Sequence, residues 1–393
     1  MMRVTILGGG MITHDQILPS FYQLRRLGLV DEIAVCARHD QTLQALADSQ
    51  LLQKAFPGQD FRFSAGLYRA ALAQVPAHNL AVIALPDHLH FDAAMAALEA
   101  EQHLLVVKPL VMKSEEAETI EREAFRRGLF VGVEYHKRFD DRSLLARRKY
   151  RAGEFGEFRL GSACLMEKWY YRHSNFQNWC TSENSDAFTY IGCHYIDLVH
   201  FITGLLPVSV SVYGVKDEYP NGNEGFLWTD ARVVWSNGAC LNVQNSLSFP
   251  DDAPGTNTQG LTLYCGSRTN GALIRHSDQY RGVEHVYISR PESPGGTIYA
   301  EPSPDYFQYV DLGDGRLTPV GYGYRSIEYL FRCCLRVESA ADRGRAIREI
   351  DREGIAATPA NSRYNEQVIE AARHSILNGG IMVSIGSERT AQK

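Results

Sequence analysis

Along the first third of the chain, apolar residues fall into short runs. Longer stretches separate them, in which apolar positions return every three or four residues. The runs Arg3–Leu7, Glu32–Cys36, Ala81–Leu85, Leu104–Val107 and Phe130–Val133 predict strands. Between them, Ile12–Leu27, Gln41–Ala55, the alanine-rich Phe91–Ala100 and Ser114–Arg127 predict helices. Ser114 is the expected N-cap of the last of these, with Glu115 and Glu116 placed to suit the helix dipole. Pro19 falls inside the first helix and should bend it. Strands and helices alternating at these lengths predict a parallel, doubly wound α/β sheet over residues 1–130.

From about residue 150 the pattern changes. Strand candidates follow one another: Phe158–Cys164, Val208–Val215, Ala231–Trp235, Ala239–Ser246, Gly260–Cys265 and His285–Ser289. Turn signals such as Asn237-Gly238 and Asp314-Gly315 punctuate them. Three helices are expected, at His194–Ile202, Ser326–Arg336 and Asn365–Leu377. Residues 131–393 therefore read as a second, α+β domain on a large open mixed or antiparallel sheet. A length of 393 residues accommodates two domains, and 45% hydrophobic with 22% charged residues is a globular composition. The net charge of −6 carries no basic stripe, which argues against a nucleic-acid partner. None of the eight cysteines forms a CxxC pair, so reduced, mostly buried thiols are expected and no metal site. There is no apolar run of about 18 residues, and the chain opens directly on a strand; the expectation is a cytoplasmic protein with no membrane partner.

The candidate chemistry lies at strand ends. The first strand runs into Gly8-Gly9-Gly10, which matches G-x-G-x-x-G at Gly8 and Gly10 and puts Thr13 at the third position. The first glycine allows the tight turn, and the second lets backbone approach a pyrophosphate at the helix N-terminus. Met11 and Ile12 continue that turn. After the second strand, Ala37 stands where an acid usually binds the ribose of NAD, and Arg38 follows, a residue able to receive the 2′-phosphate of NADP. The cofactor is thus NAD or NADP. Lys108 ends a strand at the carboxyl edge of the sheet and can exchange a proton with a substrate hydroxyl, while Pro109 sets the exit of the chain. His194 opens a helix with Asp197 three residues on, close enough along that face to orient its ring. Residues 168–190 interleave Trp169, Tyr170, Tyr171, Phe176, Trp179, Phe188 and Tyr190 with Arg172 and other polar residues, a mixture suited to a sugar. Phe188 and Met166 read as core, and Gly321–Arg325 as a second loop over the pocket. Asp87, His88 and His90 are expected to bond ribose or backbone rather than a metal.

Six motifs in register resemble the glucose–fructose oxidoreductase / inositol dehydrogenase (Gfo/Idh/MocA) family. They are Gly8–Gly10, Ala84–His90, His103–Leu110, Val131–Phe139 with its Glu134-Tyr135-His136, Gly153–Glu157 and Ile191–Leu198. The resemblance implies a Rossmann domain, a second domain with a large open sheet, a tightly held nicotinamide cofactor and a carbohydrate substrate. It also implies a homo-oligomer, a dimer or tetramer, formed through the open sheet. On it, Lys108 and His194 are the catalytic pair. The dinucleotide contacts fall on Gly8, Gly10, Met11, Ile12, Arg38, Leu85, Pro86, His90 and Lys108. The substrate contacts fall on Lys108, Tyr135, His136, Trp169, Arg172, Trp179, Tyr190, His194 and Asp197. Two positions depart from the family pattern: Val107 replaces a glutamate before the lysine, and Tyr190 replaces the aspartate four residues before His194. Tyr190 is thereby a third catalytic candidate.

Hydride transfer between nicotinamide and a secondary hydroxyl of a sugar, polyol or glycoside is the leading expectation. The alternative is a redox-neutral, NAD-dependent glycosidase, for which Tyr190, Tyr135 or His136 would supply a further base. A non-catalytic regulator that senses NAD(H) is the third, and the presence of both Lys108 and His194 argues against it.

Overall fold

The computed structural model describes residues 1–168, 175–251, 257–268, 271–277, 288–289, 298–299 and 306–386. Six strands, β1 (Met2–Leu7), β2 (Val30–Ala37), β3 (Arg62–Ala65), β4 (Leu80–Ile83), β5 (His103–Val107) and β6 (Val131–Glu134), form one parallel sheet in the order β3-β2-β1-β4-β5-β6. Strands β4 and β5 are buried at every residue, which is why they read as unbroken apolar runs. The connecting helices are α1 (Leu18–Arg26), α2 (Asp40–Ala47), α3 (Gln50–Ala55), α4 (Tyr68–Leu72), α5 (His90–Glu99) and α6 (Ser114–Arg127). The strand order reverses between β1 and β4, and ligands of such sheets lie beyond the carboxyl ends of the strands at that point.

Local differences from the sequence reading have local causes. The expected helix Ile12–Leu27 is a π-helical turn, Thr13–Ile17, followed by α1. Pro19 lies in the first turn of α1, where its missing N–H is tolerated, so it sits at a junction rather than bending a continuous helix. Helices α2 and α3 divide at Ser49, whose hydroxyl accepts the Leu52 N–H as an N-cap. Ser114 is the first residue of α6, with Lys113 at the cap. Strand β3 is a mostly exposed edge and carried no apolar signal.

The following elements are α7 (Asp141–Arg151), β7 (Glu157–Lys168), a π-helical turn (Phe188–Gly192), α8 (Cys193–Thr203), β8 (Pro207–Glu218), β9 (Glu224–Trp235), β10 (Cys240–Phe249), β11 (Thr258–Gly266), β12 (Gly271–Ser277) and the two-residue strands β13 (Ile288–Ser289) and β14 (Ile298–Tyr299). A hairpin, β15 (Gln308–Asp311) and β16 (Leu317–Val320), precedes α9 (Tyr322–Glu338), α10 (Arg343–Glu353), α11 (Pro359–Ser362), α12 (Tyr364–Leu377) and β17 (Val383–Ser384). The second sheet runs β12-β11-β7-β10-β9-β8-β17, with β7 and β10 parallel and the other pairs antiparallel, the mixed sheet expected. On β10, Leu241, Val243, Asn245 and Leu247 are buried, while Asn242 and Gln244 between them are exposed. Residues 285–287 of the expected strand His285–Ser289 lie outside the described residues.

The chain folds into two compact units, Met1–Phe139 with Tyr306–Arg363, and Asp140–Asp305 with Tyr364–Lys393. A single cut after residue 130 therefore does not describe it. Helix α9, expected in the second domain, buries Ile327, Leu330, Phe331 and Val337 in the same core as Ile6, Phe21 and Val35. Phe331 meets Phe21 edge-on at 5.9 Å. Gly321–Arg325, expected as a loop, is the start of that helix. None of the eight cysteines is in a disulfide, and six of them are buried. Among the described residues no helix is long and apolar enough to cross a membrane.

Candidate active site

In the first unit the site begins where β1 meets β4. Gly8 has a φ of 112°, and a Cβ there would stand 2.0 Å from the Ala84 carbonyl oxygen, so only glycine passes. A Cβ on Gly10 would meet nothing within 4 Å, leaving the space above the turn open for the pyrophosphate of a dinucleotide. Thr13 fills the third glycine position without strain. It is fully buried, and its hydroxyl donates to the Gly8 carbonyl oxygen at 2.7 Å. Met11 and Arg38 are exposed, Ile12, Leu85 and Pro86 half-buried.

Lys108 leaves β5 half-buried, ahead of a cis Lys108–Pro109 peptide bond. His90 was expected to touch the dinucleotide. It is instead fully buried, with Nδ1 2.8 Å from the Pro109 carbonyl oxygen and Nε2 2.8 Å from that of Leu85. It ties the loop after β4 to the loop after β5 from beneath, and so sets Lys108 relative to Leu85 and Pro86.

A polar network missed by the sequence reading lies beside this. Glu134, at the end of β6, is buried; its Oε1 accepts from Gln16 Nε2 at 2.8 Å and from the Ser326 hydroxyl at 2.6 Å. Its Oε2 lies 3.0 Å from His136 Nδ1. The Tyr306 hydroxyl donates to Gln16 Oε1, and the His136 ring packs against Tyr306 and Tyr322. Only Glu134 and His136 stood in a recognised motif, because Gln16, Tyr306 and Ser326 come from distant stretches. Tyr135, expected at the substrate, is 1% exposed with Arg138 stacked over its ring, so it belongs to the packing beneath.

A second cluster brings ligand-type atoms of His78, His103 and Glu338 within 4.8 Å of one another. It does not fit a metal. His103 Nδ1 accepts the Phe130 N–H at 2.9 Å, so the ring proton is on Nε2, which faces Glu338 at 3.0 Å. Arg343 donates to the other carboxylate oxygen at 2.7 Å, completing an ion-paired network.

In the second unit, Asp186 caps the π-helical turn: its Oδ1 accepts the Thr189 N–H at 2.7 Å. Arg373 of α12 holds that capping carboxylate and donates to the carbonyl oxygens of Ser182, Glu183 and Ser185. The turn carries Tyr190, whose ring meets Phe176 at 4.7 Å and Trp179 at 5.6 Å. The aromatic cluster thus forms around Tyr190 and Trp179; Trp169 and Arg172 lie outside the described residues. Phe188 is fully buried, as expected of core, and Met166 half-buried. His194 is buried in the first turn of α8. Asp197, expected to orient its ring, presents Oδ1 to α12, where it accepts from Tyr364 at 2.8 Å and Asn365 at 3.0 Å. Lys108 belongs to the first unit and His194 to the second.

Residues 2–135 match the model of an oxidoreductase family with an NAD-binding Rossmann fold, and residues 144–266 match a GFO/IDH/MocA C-terminal domain. Similar curated proteins include scyllo-inositol 2-dehydrogenase (NADP(+)) IolW of Bacillus subtilis, 26% identical over 33% of this chain and 36% of that enzyme. D-glucoside 3-dehydrogenase of Escherichia coli is 24% identical over 70% of this chain and 81% of the enzyme. Among solved structures, GenD2 from gentamicin A biosynthesis, in complex with NAD, superposes with a TM-score of 0.70 at 16% identity, covering 98% of this chain and 97% of that one. Scyllo-inositol dehydrogenase from Lactobacillus casei with NAD(H) and scyllo-inositol gives 0.65 at 14% identity, covering 98% and 99%.

Proposed function

The chain belongs to the GFO/IDH/MocA oxidoreductase family with its NAD-binding Rossmann domain, and from that premise we propose that it is a dehydrogenase of a sugar, polyol or glycoside. The observation that carries the reading is the Gly8–Gly10 turn at the switch point of the sheet, packed on Ala84 beside the Leu85 and Lys108 loops that His90 ties together. Gly8 and Gly10 would hold the pyrophosphate of the dinucleotide, since a Cβ on Gly10 would meet nothing within 4 Å. When bound, its nicotinamide supplies the hydride chemistry. Lys108 is the proposed group that exchanges the proton of the substrate hydroxyl, and His194 is the second proton-exchanging candidate. Tyr190 offers a neutral phenol hydroxyl where the family has an aspartate, orienting the hydroxyl without adding charge. Trp179 beside Tyr190 gives a sugar ring an apolar face, and His136, oriented by Glu134, bonds a further hydroxyl. Arg38, exposed after β2 with no acid before it, allows NADP as well as NAD.

The test is a cofactor-by-substrate matrix: NAD+ and NADP+ against scyllo-inositol, methyl glucosides and levoglucosan, followed by absorbance of the reduced nicotinamide. Steady reduction by one of these is expected. Release of aglycone from chromogenic glycosides with no added cofactor and no net reduction would overturn the dehydrogenase reading in favour of a redox-neutral glycosidase.

A further inference from the structure

Along the central strands β9 and β10 of the second sheet, the alternating buried positions are apolar except at two paired residues. Along β10 they are Leu241, Val243, Asn245, Leu247, and along β9 Leu227, Thr229, Ala231, Val233, all buried. Asn245 and Thr229 are direct cross-strand partners in the β9–β10 register, so the two departures from the apolar pattern lie side by side. Asn245 is 1% exposed, and neither its Oδ1 nor its Nδ2 has a hydrogen-bond partner among the described residues. The Thr229 hydroxyl, on a residue 5% exposed, has none either. The same strands supply valine and leucine around them, so packing alone does not call for an amide. A buried amide left unbonded keeps its full desolvation cost, and such groups are rare without a ligand or water to meet them.

The amide also has a defined neighbour. A Cβ on Gly192 would stand 2.6 Å from Asn245 Oδ1, so the amide presses against the backbone two residues before His194. Glycine at 192 is what admits it. The three groups available, an amide oxygen, an amide NH2 and a hydroxyl, are uncharged and both donate and accept. That complement matches an alcohol, which needs one donor and one acceptor, and does not match a phosphate, a carboxylate or a cation.

We propose that Asn245 and Thr229 form a specificity-determining subsite, beneath the turn that leads into His194, which takes a hydroxyl of the polyol or sugar substrate. The inference rests on the dehydrogenase reading for its substrate class, but its test does not depend on turnover alone. Asn245→Leu and Thr229→Val are near-isosteric and remove the polar atoms. Each is expected to melt at the same temperature as the parent or higher, because an unbonded buried polar group is replaced by an apolar one. Each should bind NAD unchanged by fluorescence titration, and lower kcat/KM for scyllo-inositol or a methyl glucoside by about tenfold or more, mostly in KM. A lower melting temperature with unchanged kcat/KM would overturn the proposal and leave the pair as the site of a structural water. Unchanged melting and kinetics would overturn it as well. If the parent turns over none of the probes, the dehydrogenase reading fails separately. Calorimetric titration of NAD-loaded protein with scyllo-inositol then decides the subsite: binding weakened about tenfold by Asn245→Leu supports it, and absent or unaltered binding rejects it.

Discussion

At the scale of single residues, the glycine turn and the proposed proton carriers make opposite demands. Gly8 is fixed by space: with φ at 112° and the Ala84 carbonyl oxygen 2.0 Å from any Cβ, Gly8→Ala must push β1 and β4 apart. The strained φ and the overlap each cost about 1–3 kcal/mol, so a loss of about 3 kcal/mol in urea unfolding is expected together with loss of NAD binding. A variant that melts normally and binds NAD would show that the turn is not the cofactor site. Lys108 is the proposed proton carrier, and its demand is for a charge rather than for space. It is only half-buried, so Lys108→Met should leave the fold intact, with an unchanged urea midpoint, and lower kcat by about 10² or more. Turnover within a factor of a few of the parent would remove Lys108 from the chemistry. Thr13 explains why a motif lacking its third glycine still forms, since its hydroxyl returns to Gly8 and leaves no unmet polar group. A sequence shows the missing glycine but not that compensating bond.

At the scale of elements, two π-helical turns stand at the two places where chemistry is proposed, one directly after the glycine turn and one directly before His194. Such turns are uncommon and cluster at functional sites. Neither was legible: a π turn and an α turn share nearly the same apolar spacing, so Thr13–Ile17 reads as part of a plain helix, while Phe188–Gly192 falls between the aromatic stretch and the expected helix His194–Ile202. The second turn is kept in place from outside by α12. Arg373 donates to three carbonyl oxygens and to the Asp186 carboxylate, which is buried and caps the turn. Arg373→Met leaves that carboxylate without its cation, and breaking a buried pair from one side costs about 3–5 kcal/mol. The expected result is a lower urea midpoint and faster hydrogen exchange confined to residues 181–190, with turnover falling while NAD affinity holds. Exchange unchanged over that segment would mean that the Asp186 cap suffices without Arg373.

At the scale of the whole molecule, the parallel sheet was legible because β4 and β5 are buried on both faces, and the mixed sheet because β7 to β11 alternate buried and exposed residues. The return of residues 306–363 to the first unit was not, since an amphipathic helix such as α9 shows that it has an apolar face but not which sheet covers it. That return has an electrostatic consequence. It brings Glu338 and Arg343 to His103 at the start of β5, where burial, the larger effect, outweighs Glu338 and holds the imidazole below its ordinary value of 6.5. His103 is fully buried and committed as a neutral ring, accepting from Phe130 and donating to Glu338. The unfolded chain therefore binds a proton below pH 6.5 that the folded chain refuses, and folding stability falls as pH drops from 6.5 toward the folded value. His14 works in the other sense: its bond to Asp15 raises it, so its contribution is present below 6.5 and lost as pH rises. That pair is solvent-exposed and screened, whereas burial holds His88 below its ordinary value too, in the same sense as His103, so the net sign follows the lowered imidazoles. Urea midpoints should decline between pH 7 and pH 5, and His103→Gln, which keeps an acceptor and a donor but no titrating ring, should flatten that decline while His14→Gln steepens it. An equal decline in parent and His103→Gln would place the acid sensitivity elsewhere in the chain.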